Sequence, residues 1–152
     1  MIQIYQAKID DVAALSELFD LYRIFYGKES NLIGANQFLT ERIIKNETTI
    51  FLAKDIDHGQ LVGFTQLYPL FSSTRMQRLL LLNDLYVLEE FRGRGISKLL
   101  IERAKQLALE INAAGILLET QKSNLIGNAL YPRMNFHLED DVNFYFWNSM
   151  NT

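Results

Sequence analysis

The 152-residue chain contains no cysteine, two prolines, two histidines and one tryptophan. Without cysteine, disulfides, thiolate metal sites and a covalent cysteine intermediate are all excluded, so any group transfer is direct or uses another nucleophile. The histidines, His58 and His137, stand far apart with no ligand spacing around either, and no metal site is predicted. No run of about 18 apolar residues occurs, which predicts no membrane span. Met1 to Tyr5 lacks a basic stretch followed by an apolar core, so no signal peptide is expected and the cytoplasm is the expected compartment. A net charge of −3 argues against nucleic acid as the main partner and is compatible with a cationic substrate. What is present is ordinary for a globular protein: 49% apolar and 22% charged residues, read as one domain over residues 1–152 with its own core.

Alternating residues from Ile2 to Ala7 predict a first strand. Asp10 or Asp11 can cap a helix whose apolar positions Val12, Leu15, Leu18, Phe19 and Tyr22 recur at helical spacing, ending near Gly27. After a loop at Lys28–Gly34, a second helix is predicted over Asn36–Asn46. Strands follow over Thr48–Lys54 and Gln60–Tyr68, joined by a turn through Gly59. A polar-leaning loop is predicted from Pro69 to Met76, then a strand over Arg78–Val87. Ser97 to Asn112 reads as an amphipathic helix, Ile116–Thr120 as a buried strand and Asn124–Met134 as a helix. Asn135 stands where a left-handed terminal residue is wanted. Phe136–Leu138 and Asn143–Trp147 are read as closing strands. No internal repeat is apparent. The order β-α-α-β-β-β-α-β-α-β-β predicts an α/β (α+β) fold, a mixed central sheet of about six to seven strands flanked by helices.

The densest signal lies between the fourth predicted strand and the long helix. Arg92-Gly93-Arg94-Gly95-Ile96-Ser97-Lys98 bends directly into a helix N-terminus, which aims unpaired N–H groups and a positive dipole end at one point. A pyrophosphate suits that point. Arg92 to Ser97 resembles the R/Q-x-x-G-x-G/A signature of the GCN5-related N-acetyltransferases (GNAT). Asn124 to Tyr131 resembles that family's N-x-x-A-x-x-L-Y helix, with Met134-Asn135-Phe136 where L-G-F is usual. Ser97 and Gly127 depart from the pattern and remain small. The resemblance spans the chain and implies a GNAT fold.

It also implies acetyl-CoA as cosubstrate. Gly93, Arg94, Gly95, Ile96, Ser97 and Lys98 would present N–H groups to the diphosphate, with Arg92, Arg94 and Lys98 as flanking charges. The pantetheine arm would pair with backbone of Leu85, Tyr86 and Val87 where two strands splay, and Asn124 would hydrogen-bond it. Tyr131 becomes the candidate proton donor to the departing thiolate, the alternative being that it only packs its helix. Asp84 is the candidate to hold an ammonium or take its proton; otherwise it faces solvent on the other side of its strand. Glu89 and Glu90 read as solvated turn residues.

Leu80 to Val87 resembles the polyamine (spermidine/spermine and thialysine) acetyltransferase branch in particular, with Asn83 in place of an acid. Asn83, Asp84 and Gln66, in the preceding strand, are the implied substrate-binding residues. Tyr22 and Tyr26 either wall the amine cleft or belong to the core, and Phe25 is read as core. Loops Lys28–Asn36 and Pro69–Arg78 are expected to shape the pocket. The expected partners are a small-molecule amine and, from the resemblance and the Phe144–Trp147 aromatics, a second copy in a homodimer. Transfer to a peptide lysine or N-terminus, and a coenzyme A-binding module without catalysis, are the alternatives.

Overall fold

A computed structural model describes residues 1–151. The chain forms two compact units, Met1–Glu119 and a smaller one from Thr120 onward. Five strands are found among the described residues, all in the first unit: β1 (Ile2–Gln6), β2 (Thr49–Asp55), β3 (Gln60–Ser72), β4 (Gln77–Val87) and β5 (Ile116–Leu117). They form one sheet in chain order, antiparallel from β1 to β4, with β5 parallel to β4. The same unit carries α1 (Val12–Phe25), α2 (Leu32–Ile44) and α3 (Ile96–Glu110), and the second unit carries α4 (Leu125–Arg133). The mixed α/β sheet flanked by helices is as expected. Its strand count is lower.

Each of the four helices described stops in the same way. In α1 the Lys28 N–H reaches Arg23 O and Gly27 N–H reaches Ile24 O. The paired bonds recur as Glu47 to Arg42 with Asn46 to Ile43, Ala113 to Ala108 with Asn112 to Leu109, and Phe136 to Tyr131 with Asn135 to Pro132. A left-handed residue must stand just past each helix for this pattern to close. Gly27 (φ 83°) fills the first position, and Asn46 (53°), Asn112 (55°) and Asn135 (65°) fill the others. Asparagine is the side chain that best tolerates this conformation, so the predicted stops at these residues hold.

The sheet has two distinct faces. A Cβ placed on Gly63 would stand 3.5 Å from Leu100 Cδ1, so odd-numbered β3 positions face α3. Phe64 instead meets Phe19 and Tyr22 of α1, with ring centroids 5.9 and 5.6 Å away. Leu15, Leu39, Phe51, Leu52, Phe64, Leu67, Leu100 and Ile101 are fully buried across the two layers. β4 carries a bulge: Leu82 pairs with Leu67 and Asp84 with Gln66, which leaves Asn83 as the extra residue.

Three expectations change. β3 runs through Pro69 to Ser72 where a loop was expected, because β4 pairs with it as far as Ser72–Gln77, while β2 stops pairing at Thr49–Leu67. Beyond that point β3 has β4 on one side only, and a proline is tolerated at such an edge. α2 starts at Leu32 rather than Asn36, since the Asn31 side chain caps it by accepting the Gly34 N–H (2.9 Å); the loops expected to shape the pocket are correspondingly shorter. The predicted strands at Phe136–Leu138 and Asn143–Trp147 are not strands, and Ile116–Thr120 shortens to two half-exposed residues. Aromatic composition is only a propensity; a strand needs a partner for its peptide groups.

Candidate active site

β5 pairs with β4 only at Leu80–Ile116 and Leu81–Leu117. Immediately past those pairs comes the bulge at Asn83, and β4 continues to Val87 with no strand on that side among the described residues. The Leu88 N–H donates to Val62 O (2.8 Å), so by antiparallel alternation Tyr86 also turns its peptide groups toward β3. Leu85 and Val87 therefore present theirs to the open edge. Of the three residues expected to pair with an extended ligand arm, Tyr86 offers a ring to the other layer and its peptide to β3.

Beyond β4 the chain makes one 3-10 turn at Glu89–Phe91 and enters the glycine bend. Gly93 and Gly95 sit at φ 77° and 79°, a left-handed conformation that a Cβ would strain. The first bond of α3 is Leu99 N–H to Gly95 O (3.2 Å), so the N–H groups of Ile96, Ser97 and Lys98 have no partner within the helix. Main-chain N–H groups arranged in this way can cradle an anion. The flanking cations divide. Lys98 is exposed on the first turn. Arg94 turns back to Glu90 O (3.0 Å) and stacks on Phe91 (4.9 Å). Arg92 donates from Nε to Val87 O (2.8 Å) and lies over Tyr86 and Phe25.

Asp84 is not on a solvent face. It is 5% exposed, and being two residues before Tyr86 it shares that residue's side of the sheet, toward α1. Gln66 Nε2 donates to Asp84 Oδ2 (2.7 Å) and Asn83 Nδ2 donates to Oδ1 (3.1 Å). The Thr48 hydroxyl donates to Gln66 Oε1 (2.8 Å), which fixes the amide so that its nitrogen faces the carboxylate. Thr65 Oγ1 donates to the Asp84 carbonyl (2.8 Å). Burial, and then the Asp84 carboxylate, push the Tyr68 phenol well above its ordinary value. Thr48 and Tyr68 thus join the site unannounced. Tyr68 is two residues from Gln66 on the same face, a signal available only once that face is known. Thr48 precedes its strand and gives no signal.

The aromatics at the end of α1 form the wall of this face. Tyr22 meets Tyr86 (5.9 Å) and Tyr26 (5.0 Å), and Phe25 meets Tyr26 (5.3 Å) and Tyr86 (6.1 Å). Tyr22 is half-buried, Tyr26 is 44% exposed, and Phe25, read as core, is 60% exposed.

In the second unit, Asn124 caps α4. Its Oδ1 accepts the Gly127 N–H (3.1 Å) and its Nδ2 donates to Thr120 Oγ1 (2.9 Å). A Cβ on Gly127 would stand 2.4 Å from that Nδ2, so glycine is what lets the cap close. The side chain expected to reach a ligand is engaged in holding its own helix start. Tyr131 is half-buried on α4, edge-on to Phe136 at 6.0 Å, the contact that accompanies this kind of helix stop.

Among the described residues, no three His, Cys, Asp or Glu side chains gather to hold a metal ion, and no helix is long and apolar enough to cross a membrane. The family model described as acetyltransferase (GNAT) matches residues 15–136. An uncharacterised N-acetyltransferase, YhfO, of Bacillus subtilis (strain 168) is 40% identical over 141 residues, which are 93% of this chain and 92% of that protein. The crystal structure of a probable acetyltransferase superposes with a TM-score of 0.91 at 34% identity, over 96% of this chain and 97% of that one. A protein of Clostridium acetobutylicum, described as a predicted acetyltransferase and solved with acetyl-CoA, shares the fold at a TM-score of 0.81 and 19% identity, covering 100% of this chain and 99% of that one.

Proposed function

This chain belongs to the acetyltransferase (GNAT) family, and from that premise we propose that it moves the acetyl group of acetyl-CoA directly to a small primary amine, polyamine-like or amino-acid-like, in a ternary complex. The observation that carries the reading is the buried Asp84 carboxylate, held by two amides on the aromatic face of a strand whose other edge is open. A cation is the natural guest for a carboxylate that shares a sheet face with the Tyr86 ring and lies near the Tyr68 phenol. The open edge and the α3 cradle suit an extended diphosphate donor, as strand addition and anion binding each require.

In the proposed transfer the amine nitrogen bonds to the thioester carbonyl carbon and the C–S bond breaks, its electron pair leaving on sulfur. The ammonium first gives one proton to Asp84 or an ordered water; after the N–C bond forms, the nitrogen gives its second proton to solvent, and the Tyr131 phenol protonates the thiolate and is reprotonated from solvent. Asn83 in place of an acid lowers the negative charge near Asp84, which favours short amines over long polycations. A cytoplasmic homodimer is part of the same proposal, supported by Phe144, Tyr145, Phe146 and Trp147, which are 75–86% exposed.

The test is thiol release from acetyl-CoA across a panel of polyamines, thialysine, amino acids and basic peptides. At least one small amine should react, and Asp84→Asn should raise its KM about tenfold. No release with any amine, together with no coenzyme A binding by calorimetry, would refute the reading.

A further inference from the structure

Phe25 is exposed yet not bare. The Arg92 guanidinium carbon stands 5.1 Å from its ring centroid and 5.5 Å from that of Tyr86. The same side chain donates from Nε to Val87 O, one of the peptide oxygens turned to the open edge of β4. One planar cation therefore joins the last turn of α1, the aromatic face of β4 and the end of that strand. Arg94, two residues on, makes the comparable pair of contacts entirely within its own turn, to Glu90 O and Phe91. The contrast matters because both arginines open the same glycine bend, yet only Arg92 crosses to another layer. Phe25 packs edge-on against Tyr26, which packs against Tyr22, so whatever holds Phe25 also holds the two tyrosines of the wall.

We propose that the Arg92 side chain is a positioning residue for the amine, clamping the end of α1 onto β4, and is not a ligand of the diphosphate. This rests on the functional reading above, which places the amine on the α1 face and the donor along the open edge. A planar guanidinium can bond a carbonyl in its plane while stacking on rings, and an ammonium cannot do both with the same geometry. The clamp thus depends on arginine and not on charge alone.

The experiment uses Arg92→Gln, Arg92→Lys, Phe25→Leu and the Arg92→Gln/Phe25→Leu double variant in the full chain. Coenzyme A affinity is measured by calorimetry, amine KM and kcat by thiol release, and amide hydrogen exchange over residues 21–27. Arg92→Gln should raise the amine KM about tenfold and leave the coenzyme A Kd within about twofold. Phe25→Leu should do the same, and the double variant should be no worse than the worse single, because both remove one contact. Both should speed exchange in the last turn of α1, and Arg92→Lys should recover part of the KM. A weakened Kd at unchanged KM, parallel losses in both constants, additive effects or no change at all would each overturn the proposal. Should Arg92→Gln not fold, Arg92→Lys under the same readouts decides. If the parent chain neither binds coenzyme A nor transfers acetyl, the functional reading fails separately; unchanged exchange over residues 21–27 in the Arg92 variants would then sink the clamp, and faster exchange would uphold it.

Discussion

Two helices in this molecule open with the same four residues. Asn31-Leu32-Ile33-Gly34 starts α2 and Asn124-Leu125-Ile126-Gly127 starts α4, each asparagine accepting the glycine N–H three residues on. A Cβ on either glycine would stand 2.5 or 2.4 Å from the capping amide nitrogen. Beyond the shared start they diverge. α2 buries Ala35 and Leu39, whereas Gly127 is the one buried residue of α4. Seven residues past each cap stands an aromatic: Phe38, stacked on Phe19 at 6.0 Å with the Arg42 guanidinium 4.8 Å from its ring centroid, and Tyr131, which carries a hydroxyl. α2 also has a second anchor, because the Asp20 carboxylate accepts from Ser30 Oγ (2.6 Å) and from the Asn31 N–H (2.7 Å). A cap sets where a helix begins; the residues a turn or two later decide how much of it packs.

Substitutions that exchange features between the two helices put this contrast to work. The largest effect is expected from Tyr131→Phe, which gives α4 the aromatic of α2: turnover should fall about a hundredfold with coenzyme A affinity retained. Phe38→Tyr should leave turnover alone, and equal rates in parent and Tyr131→Phe would strip the phenol of its role.

Next in size is the anchor that α4 lacks. Hydrogen bonds from Ser30 and then the Asn31 amide hold the Asp20 carboxyl below the usual carboxylate range. Its folded value being lowered, the contribution is fully present above the unfolded pKa of about 3.9 and is lost as pH falls through the folded value. Asp20→Asn should therefore destabilise by about 2 kcal/mol at pH 7 in urea unfolding. The gap between variant and parent should close in acid well below about pH 4; a gap that stays constant with pH would count against ionised Asp20 as the anchor.

Removing the caps themselves is a smaller change. Asn31→Ala and Asn124→Ala should each lose about 1 kcal/mol, but in different observables. The first should appear in global unfolding, since α2 contributes to the core. The second should appear mainly as faster hydrogen exchange along α4, where little apolar surface is buried. The smallest net effects belong to Gly34→Ala and Gly127→Ala, within about 0.5 kcal/mol, because better helix propensity offsets a displaced cap. In the background lacking the capping asparagine, the same change should stabilise by roughly 0.5–1 kcal/mol. A cycle with no such coupling would show that the glycines are there for another reason.

Much of this is legible in the sequence alone. Helix ends at Gly27, Asn46, Asn112 and Asn135 carry their own signal in residue type, and the glycine bend between a strand and a helix could be read directly. What stayed hidden depends on neighbours. Pro69 belongs to a strand because β4 pairs with it where β2 has ended, and Asn143–Trp147 has strand composition with nothing to pair. Phe25 has core spacing but is 60% exposed beside Tyr86. The amide that holds Asp84 from across the sheet belongs to Gln66, 18 positions away in sequence, and Gln66 is in turn fixed by Thr48, another 18 positions back; no local pattern connects them. The five-residue echo at Ser30–Gly34 and Ser123–Gly127 marks a shared boundary rather than a repeated unit.

The bulge in β4 has a further consequence. Asn83 is the surplus residue, standing just where β4 and β5 part company, and bulged strands bend. Excising it would keep Asp84 opposite Gln66 while straightening β4, inviting β5 to zip onward past Leu117. The sheet would gain rungs and the crevice along Leu85 and Val87 would seal. On the proposed reading of that edge, a better-made sheet would then be a poorer catalyst.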